Sequence, residues 1–174
     1  RILRSSIVSS SPGEEIGKYV EKFSMKYQNI FGKLCEGLMI DKKQSKILLL
    51  ERQLNSKYPK RWLNAREFVT KLALRLDIPC EIVSPERYDP VSLAIKSQKY
   101  NFVFSEPGSA IFLPLILRNN QQRFFMPHCL DTRIDDWPNM LIDFKAFKNS
   151  LALINACPIT GDEYGDWSTQ FITT

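Results

Sequence analysis

The segment NFVFSEPGSAIFLPLIL, residues 101–117, contains a short apolar run, a Pro-Gly turn and a longer apolar run. The first run predicts a buried strand at 102–105. The second predicts a helix at 109–118, in which Pro114 must kink or delay the first turns. A strand that turns sharply into a buried helix is typical of α/β sheets and of many sites that hold a phosphate. The segment therefore predicts either a binding loop or a tight corner in a core.

The same alternation of strand and helix continues on both sides of this segment. Further apolar runs predict strands at 46–51, 80–84 and 123–127. Amphipathic spacing and capping residues predict helices at 14–34, 63–77, 89–98 and about 138–153, with Asn64 and Asp89 as N-caps of the second and third. Strands that alternate with helices over short connections predict an α/β fold, a Rossmann-like parallel sheet flanked by helices.

Length and composition predict one main domain. A chain of 174 residues is long enough for one well-packed core and too short for two large ones. We expect an extended arm at 1–13, the Rossmann-like domain at 14–156 and an irregular tail at 157–174. No apolar stretch approaches the roughly 18 residues of a membrane span. The first residue is Arg1, so we expect a processed product or a piece of a longer chain.

The cysteines and the single histidine predict no metal site. The four cysteines are widely separated and form no CxxC pair: Cys35, Cys80, Cys129 and Cys157. A structural zinc site needs about four such ligands, and His128 alone makes one hard to assemble. We expect buried free thiols, with one disulfide left open as an alternative for a secreted or lumenal protein.

The charge is unevenly distributed along the chain. Residues 1–100 carry 19 Lys/Arg against 11 Asp/Glu, whereas residues 101–174 carry 5 against 8. The excess peaks in 42–66, where eight basic residues face only Glu51. This run predicts either a solvated surface or an anion site for a phosphate, an acidic polymer or headgroups. Nucleic acid is disfavoured as a partner, since aromatic residues do not alternate with these charges in a stacking pattern.

Two loops at the carboxyl edge of the predicted sheet carry the candidate binding residues. In parallel sheets ligands bind beyond the carboxyl ends of the strands, which here are followed by 52–62, 84–88, 105–109 and 127–137. Arg52 could reach a diphosphate, or could form an ordinary ion pair with Glu51 or Asp77. Gly108 could let a ligand approach the backbone closely, and Ser109 could begin a phosphate-binding helix. Glu106 could accept hydrogen bonds from ribose hydroxyls. The alternative is a corner that needs Gly for its shape and Ser as a cap.

Catalytic groups are harder to assign. His128 follows the fourth predicted strand and is a candidate general base, although a packed structural imidazole is the simpler interpretation. Asp131, Asp135 and Asp136 form either a base or a solvated turn. The sequence contains no GxSxG elbow, no GxGxxG fingerprint and no P-loop. It therefore predicts neither a serine nucleophile of the GxSxG kind nor a nucleotide site of the kinds that the two glycine motifs mark.

Several short motifs follow one another along the chain: Arg52, RWLNAREF at 61–68, EIVSPERYDPVSLA at 81–94 and FVFSEPGSAIFLPLIL at 102–117. Together they resemble the second half of family 61 glycosyltransferases. The resemblance covers roughly residues 46–127, and two of its pieces are also similar to the donor half of bacterial sialyltransferases. It implies the carboxyl-terminal, donor-binding half of a GT-B architecture. At two positions this sequence departs from the family pattern, where Pro107 replaces an expected His and Leu113 an expected Asn.

The resemblance implies an inverting, metal-independent transfer of a sugar from a nucleotide-sugar donor to a glycan or glycoprotein acceptor. The donor-site positions that carry over are Arg52, Gly108, Ser109 and Ala110, and the general base would lie on another domain. No cofactor is implied besides the donor substrate. The location would be cytoplasmic in a bacterium and the Golgi or endoplasmic reticulum lumen in a eukaryote. The competing interpretation is a non-catalytic Rossmann-like module that binds a partner, a second domain or another copy of itself.

Overall fold

The computed structural model describes residues 45–53, 61–128, 147, 149–158 and 170–173, together with scattered helical positions between 18 and 33. Five parallel strands form the main sheet, in the order β2-β1-β3-β4-β5. They are β1 (Ile47–Leu50), β2 (Cys80–Val83), β3 (Phe102–Ser105), β4 (Arg123–His128) and β5 (Leu151–Asn155). The predicted α/β class and the parallel Rossmann-like sheet are therefore confirmed.

Among the described residues, three helices connect the strands β1 to β4. They are α1 (Ala65–Leu76), α2 (Pro90–Ser97) and α3 (Phe112–Ile116), the last preceded by a 3-10 turn at Ser109–Ile111. Asp89 caps α2 as predicted, because its carboxylate accepts the backbone N–H groups of Val91 and Ser92. Asn64 stands at the start of α1 but its side chain makes no capping hydrogen bond. That side chain contacts the end of the chain instead.

Alternate residues of β1 divide the core into two layers. Ile47 and Leu49 pack with Trp62 and α1 on one face of the sheet. Leu48 and Leu50 pack on the other face with residues of α2 and α3. All four side chains are at most 1% exposed, as expected for an interior parallel strand covered by helices on both faces. β1 is therefore an interior strand, with α1 on one face of the sheet and α2 and α3 on the other.

Two sequence predictions near the carboxyl terminus need correction. The helix predicted at about 138–153 is wrong at its end, because residues 151–155 form β5 and pair with β4 in parallel. The hydrophobic spacing there serves an edge strand, in which Leu151 packs into the core beside Phe124. Residues 157–158 and 171–172, predicted to be irregular, pair as the antiparallel strands β6 and β7. Most of 129–146 and 159–169 lies outside the described residues, as does the arm at 1–13.

The prediction of buried free thiols is confirmed only in part. Cys80 and Cys157 are free thiols, but Cys80 is only half-buried and Cys157 is exposed; Cys35 and Cys129 lie outside the described part. Trp62 is fully buried and packs in the core layer beside α1. Within the described part of the chain, no helix has the length and apolar character needed to cross a bilayer.

Candidate functional site

The strand order creates a crevice at the carboxyl edge between β1 and β3. β1 pairs with β2 on one side and with β3 on the other. After β1 the chain continues to β2 on one side of the pair, and after β3 it continues to β4 on the opposite side. Leu50 lies opposite Ser105, so the residues that follow both strands begin at the same level. In open parallel sheets such a switch point is where ligands bind. The loops that begin at Glu51 and Glu106 flank this point.

Arg52 and Gly108 meet at this crevice. A Cβ atom added to Gly108 would lie 2.6 Å from the Arg52 Nη2 atom, so the absence of a side chain leaves room for the guanidinium. Gly108 itself has an extended backbone, with a φ of 163°, that any residue could adopt. The glycine is therefore needed for the close approach of Arg52 and not for the shape of the turn. The two residues that the sequence predicted at one edge are in contact.

Glu106 does not face solvent as a ribose acceptor would. Its side chain is 3% exposed, and both carboxylate oxygens accept backbone N–H groups. Oε1 accepts from the Arg52 N–H at 3.2 Å and Oε2 from the Arg61 N–H at 2.8 Å. The carboxylate thus fixes both ends of the 52–61 loop. The prediction that Glu106 contacts a sugar hydroxyl does not fit this arrangement, since buried backbone donors occupy its oxygens.

Arg61 is also directed inward. It is 5% exposed, and its Nη1 atom donates to the Pro107 carbonyl oxygen at 3.3 Å. The guanidinium therefore supports the turn that carries Gly108. Pro107, which stands where the family pattern has a His, is buried in this turn. Leu113, at the expected Asn position, packs against the buried Phe31, Ala94 and Leu117. At both positions where this sequence departs from the family pattern, the residue present is packed against its neighbours.

Ser109 and Ala110 follow Gly108 in the turn. Ser109 is exposed and begins the 3-10 turn, while Ala110 is half-buried and packs against the core cluster. The predicted helix at 109–118 is shorter than expected, with one 3-10 turn before the five residues of α3. Pro114 accounts for part of this, because a proline lacks the N–H that an earlier start of the helix would use. Of these two side chains, only that of Ser109 could contact a ligand in the crevice.

The basic run at 42–66 is not a uniform cationic surface. Among its described members, Arg61 is buried and Arg66 binds Glu51. The Arg66 Nη2 and Nε atoms donate to the Glu51 Oε2 atom at 2.7 and 3.0 Å. Glu51 thus pairs with Arg66, although the sequence also offered it as a partner for Arg52. The lysines at 42, 43, 57 and 60 lie outside the described residues.

A cleft of about 980 Å³ opens on the β2 side of Arg52. Its walls carry both signs of charge, since Arg52, Arg66 and Arg87 face it together with Glu51 and Glu67. With the Gln53 amide oriented so that its oxygen faces Arg87, that oxygen accepts from Nε at 2.8 Å and from Nη2 at 2.7 Å. The cleft is open and polar enough to admit a ligand of nucleotide size whose phosphates reach Arg52.

His128 ends β4 at the same edge of the sheet. It is 2% exposed, and its carbonyl oxygen accepts the Ala156 N–H at 2.9 Å. Burial of this extent fits the packed imidazole that the sequence offered as the simpler interpretation. Asp131, Asp135 and Asp136 lie outside the described residues. Among the residues described, no group of three potential metal ligands comes together.

Two contacts between residues that are far apart in the chain could not be predicted from the sequence. The first is the pair of hydrogen bonds that Glu106 accepts, which joins residues 45 and 54 positions apart. The second is the contact between Asn64 and Thr173, 109 positions apart. An acidic residue directly after a strand was the one available signal for the first. Whether the Glu106 side chain faces the 52–61 loop or solvent depends on the fold, which the local sequence does not specify.

No family model and no curated protein matches this sequence. The function must therefore be argued from the crevice itself.

Proposed function

We propose that this chain is a nucleotide-sugar-binding domain of a glycosyltransferase, and that the diphosphate of the donor binds in the crevice between β1 and β3. The observation that carries the proposal is the position of the Arg52 guanidinium against Gly108 at the switch point of the sheet. The motif resemblance to family 61 glycosyltransferases supports the same assignment. In this proposal Arg52, Gly108 and Ser109 contact the donor, and Glu106 supports them from within the turn.

The chemistry follows from the charge that develops in the transfer. A base on another domain takes the proton of an acceptor hydroxyl, and the oxygen attacks the anomeric carbon as the bond to the nucleotide breaks. Negative charge then accumulates on the departing phosphate. A fixed guanidinium stabilises that charge through parallel charge-assisted hydrogen bonds. Arg52 is suited to this role because the Glu106 carboxylate holds its backbone N–H and the missing Cβ of Gly108 leaves space for its side chain. The exposed Ser109 hydroxyl could donate one further hydrogen bond.

Calorimetric titration with a panel of nucleoside diphosphates, nucleoside monophosphates and their sugar conjugates tests this proposal. We expect one class of nucleotide to bind and Arg52→Ala to weaken it by about tenfold or more, since a hydrogen bond to a charged group contributes about 1.5–3 kcal/mol. Gly108→Ala should weaken binding as well, because the new Cβ displaces the guanidinium. Arg75→Ala is the matched control, since Arg75 is exposed in the last turn of α1. Its affinity should equal that of the unmodified chain.

A folded sample that binds no member of the panel would refute the proposal. So would binding that Arg52→Ala and Arg75→Ala weaken equally, because the crevice would then not be the site. Circular dichroism and thermal unfolding of each variant show whether a lost signal reflects a lost site or a lost fold.

A non-catalytic binding module is the second candidate function. The observation in its favour is that Pro107 and Leu113, at two positions that are polar in the family pattern, serve packing in this chain. Such a module would bind a nucleotide or a protein partner without transferring a sugar. Nucleotide binding without hydrolysis or transfer, together with a stable homodimer in light scattering, would favour it over the transferase.

A further inference from the structure

The helical residues between 18 and 33 expose a row of large apolar side chains. Tyr19 is 74% exposed, Ile30 52%, Phe23 44% and Tyr27 38%. Phe31, by contrast, is 8% exposed. It packs with Ala94 of α2 and with Leu117, which follows α3. The helix is therefore held to the domain along one face while an adjoining apolar face meets solvent. Contiguous exposed apolar surface of this kind marks a binding surface.

A row of lysines runs beside the apolar row. A helix advances about 100° per residue, which places positions 19, 23, 27 and 30 within an arc of about 80° and positions 18, 22, 26 and 33 within the next arc of similar width. Residues 18–33 carry four lysines and one glutamate, a net charge of +3. The Lys26 ammonium lies 5.6 Å from the centre of the Tyr27 ring, so the two rows are in contact.

The two rows enclose a shallow apolar groove. It is lined by Tyr19, Lys22, Phe23, Lys26, Tyr27 and, from α3, Ile116. Because the lining is almost wholly apolar, the two lysines contribute to it through their methylene stems. Aromatic rings flanked by lysines in this manner match the amphipathic helices that lie in the headgroup region of a bilayer.

We propose that this aromatic–lysine surface, formed by Tyr19, Lys22, Phe23, Lys26, Tyr27 and Ile30, docks the domain onto an anionic lipid bilayer. The lysine charges complement the negative surface potential of acidic lipids, and the rings enter the boundary between headgroups and acyl chains. A second copy of the chain fits less well, since a symmetric contact would bring two lysine rows together. A protein partner also fits less well, because lysine is depleted at the centre of protein interfaces.

Cosedimentation of the 174-residue chain with vesicles tests the proposal. One set of vesicles contains phosphatidylcholine alone and the other contains phosphatidylcholine with phosphatidylserine. We expect binding to the mixed vesicles only, and we expect it to weaken as salt screens the charges. Nucleotide is left out, so the result does not depend on the function proposed above.

Variants identify the surface that binds. Each of Lys22→Ala and Lys26→Ala should weaken vesicle binding about fivefold, the contribution of one basic residue near an anionic surface. Phe23→Ala should weaken it by about tenfold, since the ring then no longer enters the interface. Lys99→Ala and Leu74→Ala are the matched controls, because both residues are exposed on other elements. The controls should bind as the unmodified chain does, and all of these variants should keep its melting temperature.

Three results would overturn the proposal. The first is equal binding to neutral and anionic vesicles, and the second is equal loss in the surface variants and the controls. The third is retention of an acidic polypeptide or a nucleic acid, abolished in Lys22→Ala, with no binding to either set of vesicles. That result would assign the surface to a macromolecular partner and not to lipid.

Discussion

At the scale of single residues, Glu106 shows how one carboxylate can shape a site without facing it. Its two oxygens accept the Arg52 and Arg61 backbone N–H groups, and its side chain is buried. Charge-assisted hydrogen bonds of this kind are stronger than neutral ones, and their loss leaves buried donors without partners. The position of Arg52 therefore depends on a residue that makes no contact with the proposed ligand.

The variant Glu106→Gln should lower the free energy of unfolding by about 1–3 kcal/mol. An amide offers one acceptor where the carboxylate offers two, so one of the two backbone N–H groups then faces an NH₂ group. Urea unfolding followed by tryptophan fluorescence measures the change. Glu86→Gln, at an exposed position, is the control and should change stability by no more than about 0.5 kcal/mol. Equal stability of Glu106→Gln and the unmodified chain would contradict the supporting role of Glu106.

Sequence reasoning at this scale succeeded where backbone position was sufficient. Arg52 and Gly108 follow two parallel strands, and the carboxyl ends of parallel strands share one edge of a sheet. The inward direction of Glu106 was not predictable, because the same position permits a side chain that faces solvent. The burial of Arg61 was hidden by its neighbours, since a run of charged residues suggests a uniformly solvated surface.

At the scale of elements, a polar cluster joins the edge strand β2 to α2 and to Tyr100, which lies between α2 and β3. The Lys96 ammonium lies 2.7 Å from a Glu81 oxygen, and the Tyr100 hydroxyl donates to the other oxygen. Burial raises the pKa of Tyr100 above its usual range, and the hydrogen bond and negative charge of Glu81 add to the effect. Burial alone would raise the pKa of Glu81, but hydrogen bonds from Lys96 and Tyr100 outweigh it and leave that pKa lowered.

The variant Tyr100→Phe should change how stability depends on alkaline pH. The unfolded chain loses the phenolic proton near pH 10 or so, whereas the folded chain retains it to higher pH. The contribution of Tyr100 is therefore fully present below about pH 10 and declines as the pH rises from there. The stability difference between the unmodified chain and the variant, measured by urea unfolding, should be constant below this pH and shrink above it.

Leu74→Ala is the control for that experiment, because Leu74 is exposed on α1 and carries no titratable group. The stability of this variant relative to the unmodified chain should not vary with pH. If the difference for Tyr100→Phe also stayed constant through the alkaline range, the hydroxyl of Tyr100 would not titrate as its surroundings require.

Sequence patterns located most elements but not the last strand of the sheet. β1 to β4 lie within a residue or two of the predicted runs, because each is a short, largely apolar run bounded by polar residues. β5 lies at the edge of the sheet, where exposed and buried residues mix, and its spacing matched a helix as well as a strand. The ambiguity was resolved by pairing with β4, which is a tertiary contact.

At the scale of the whole molecule, Thr173 contacts the residues at the start of α1. The Asn64 Nδ2 atom donates to the Thr173 carbonyl oxygen at 2.6 Å, and Asn64 Oδ1 accepts the Thr173 backbone N–H at 3.0 Å. The Trp62 Nε1 atom donates to the Thr173 hydroxyl at 3.2 Å. These bonds explain why Asn64 is not a helix cap. They also connect the tail to the element that follows the 52–61 loop.

The variant Asn64→Ala should lower the free energy of unfolding by about 1–3 kcal/mol, because three hydrogen bonds to Thr173 are lost. Thr173→Ala removes the hydroxyl and should cost less. The double variant should be less destabilised than the sum of the two, since both changes affect the same contact. Thermal unfolding measures all three, with the exposed Asn120→Ala as the matched control. Strict additivity would show that Asn64 and Thr173 act independently.

The order of the strands was beyond the sequence alone, although the class of fold was not. Alternation of strands and helices predicts a parallel sheet, but it leaves open on which side of β1 each later strand adds. The order β2-β1-β3-β4-β5 is what creates the crevice, so the site depends on information carried by long-range packing. The order matches a common doubly wound arrangement, in which the first and third strands border the switch point.

The attachment of both loop ends to Glu106 has a consequence for how this region could change through evolution or engineering. Because Arg52 and Arg61 are anchored by the same carboxylate, residues inserted or deleted between them need not move either anchor. Lengthening a flexible loop costs little, about 0.6 kcal/mol for each doubling. Relatives or designed variants could therefore carry loops of different length here and recognise different ligands while sharing one phosphate-binding arginine.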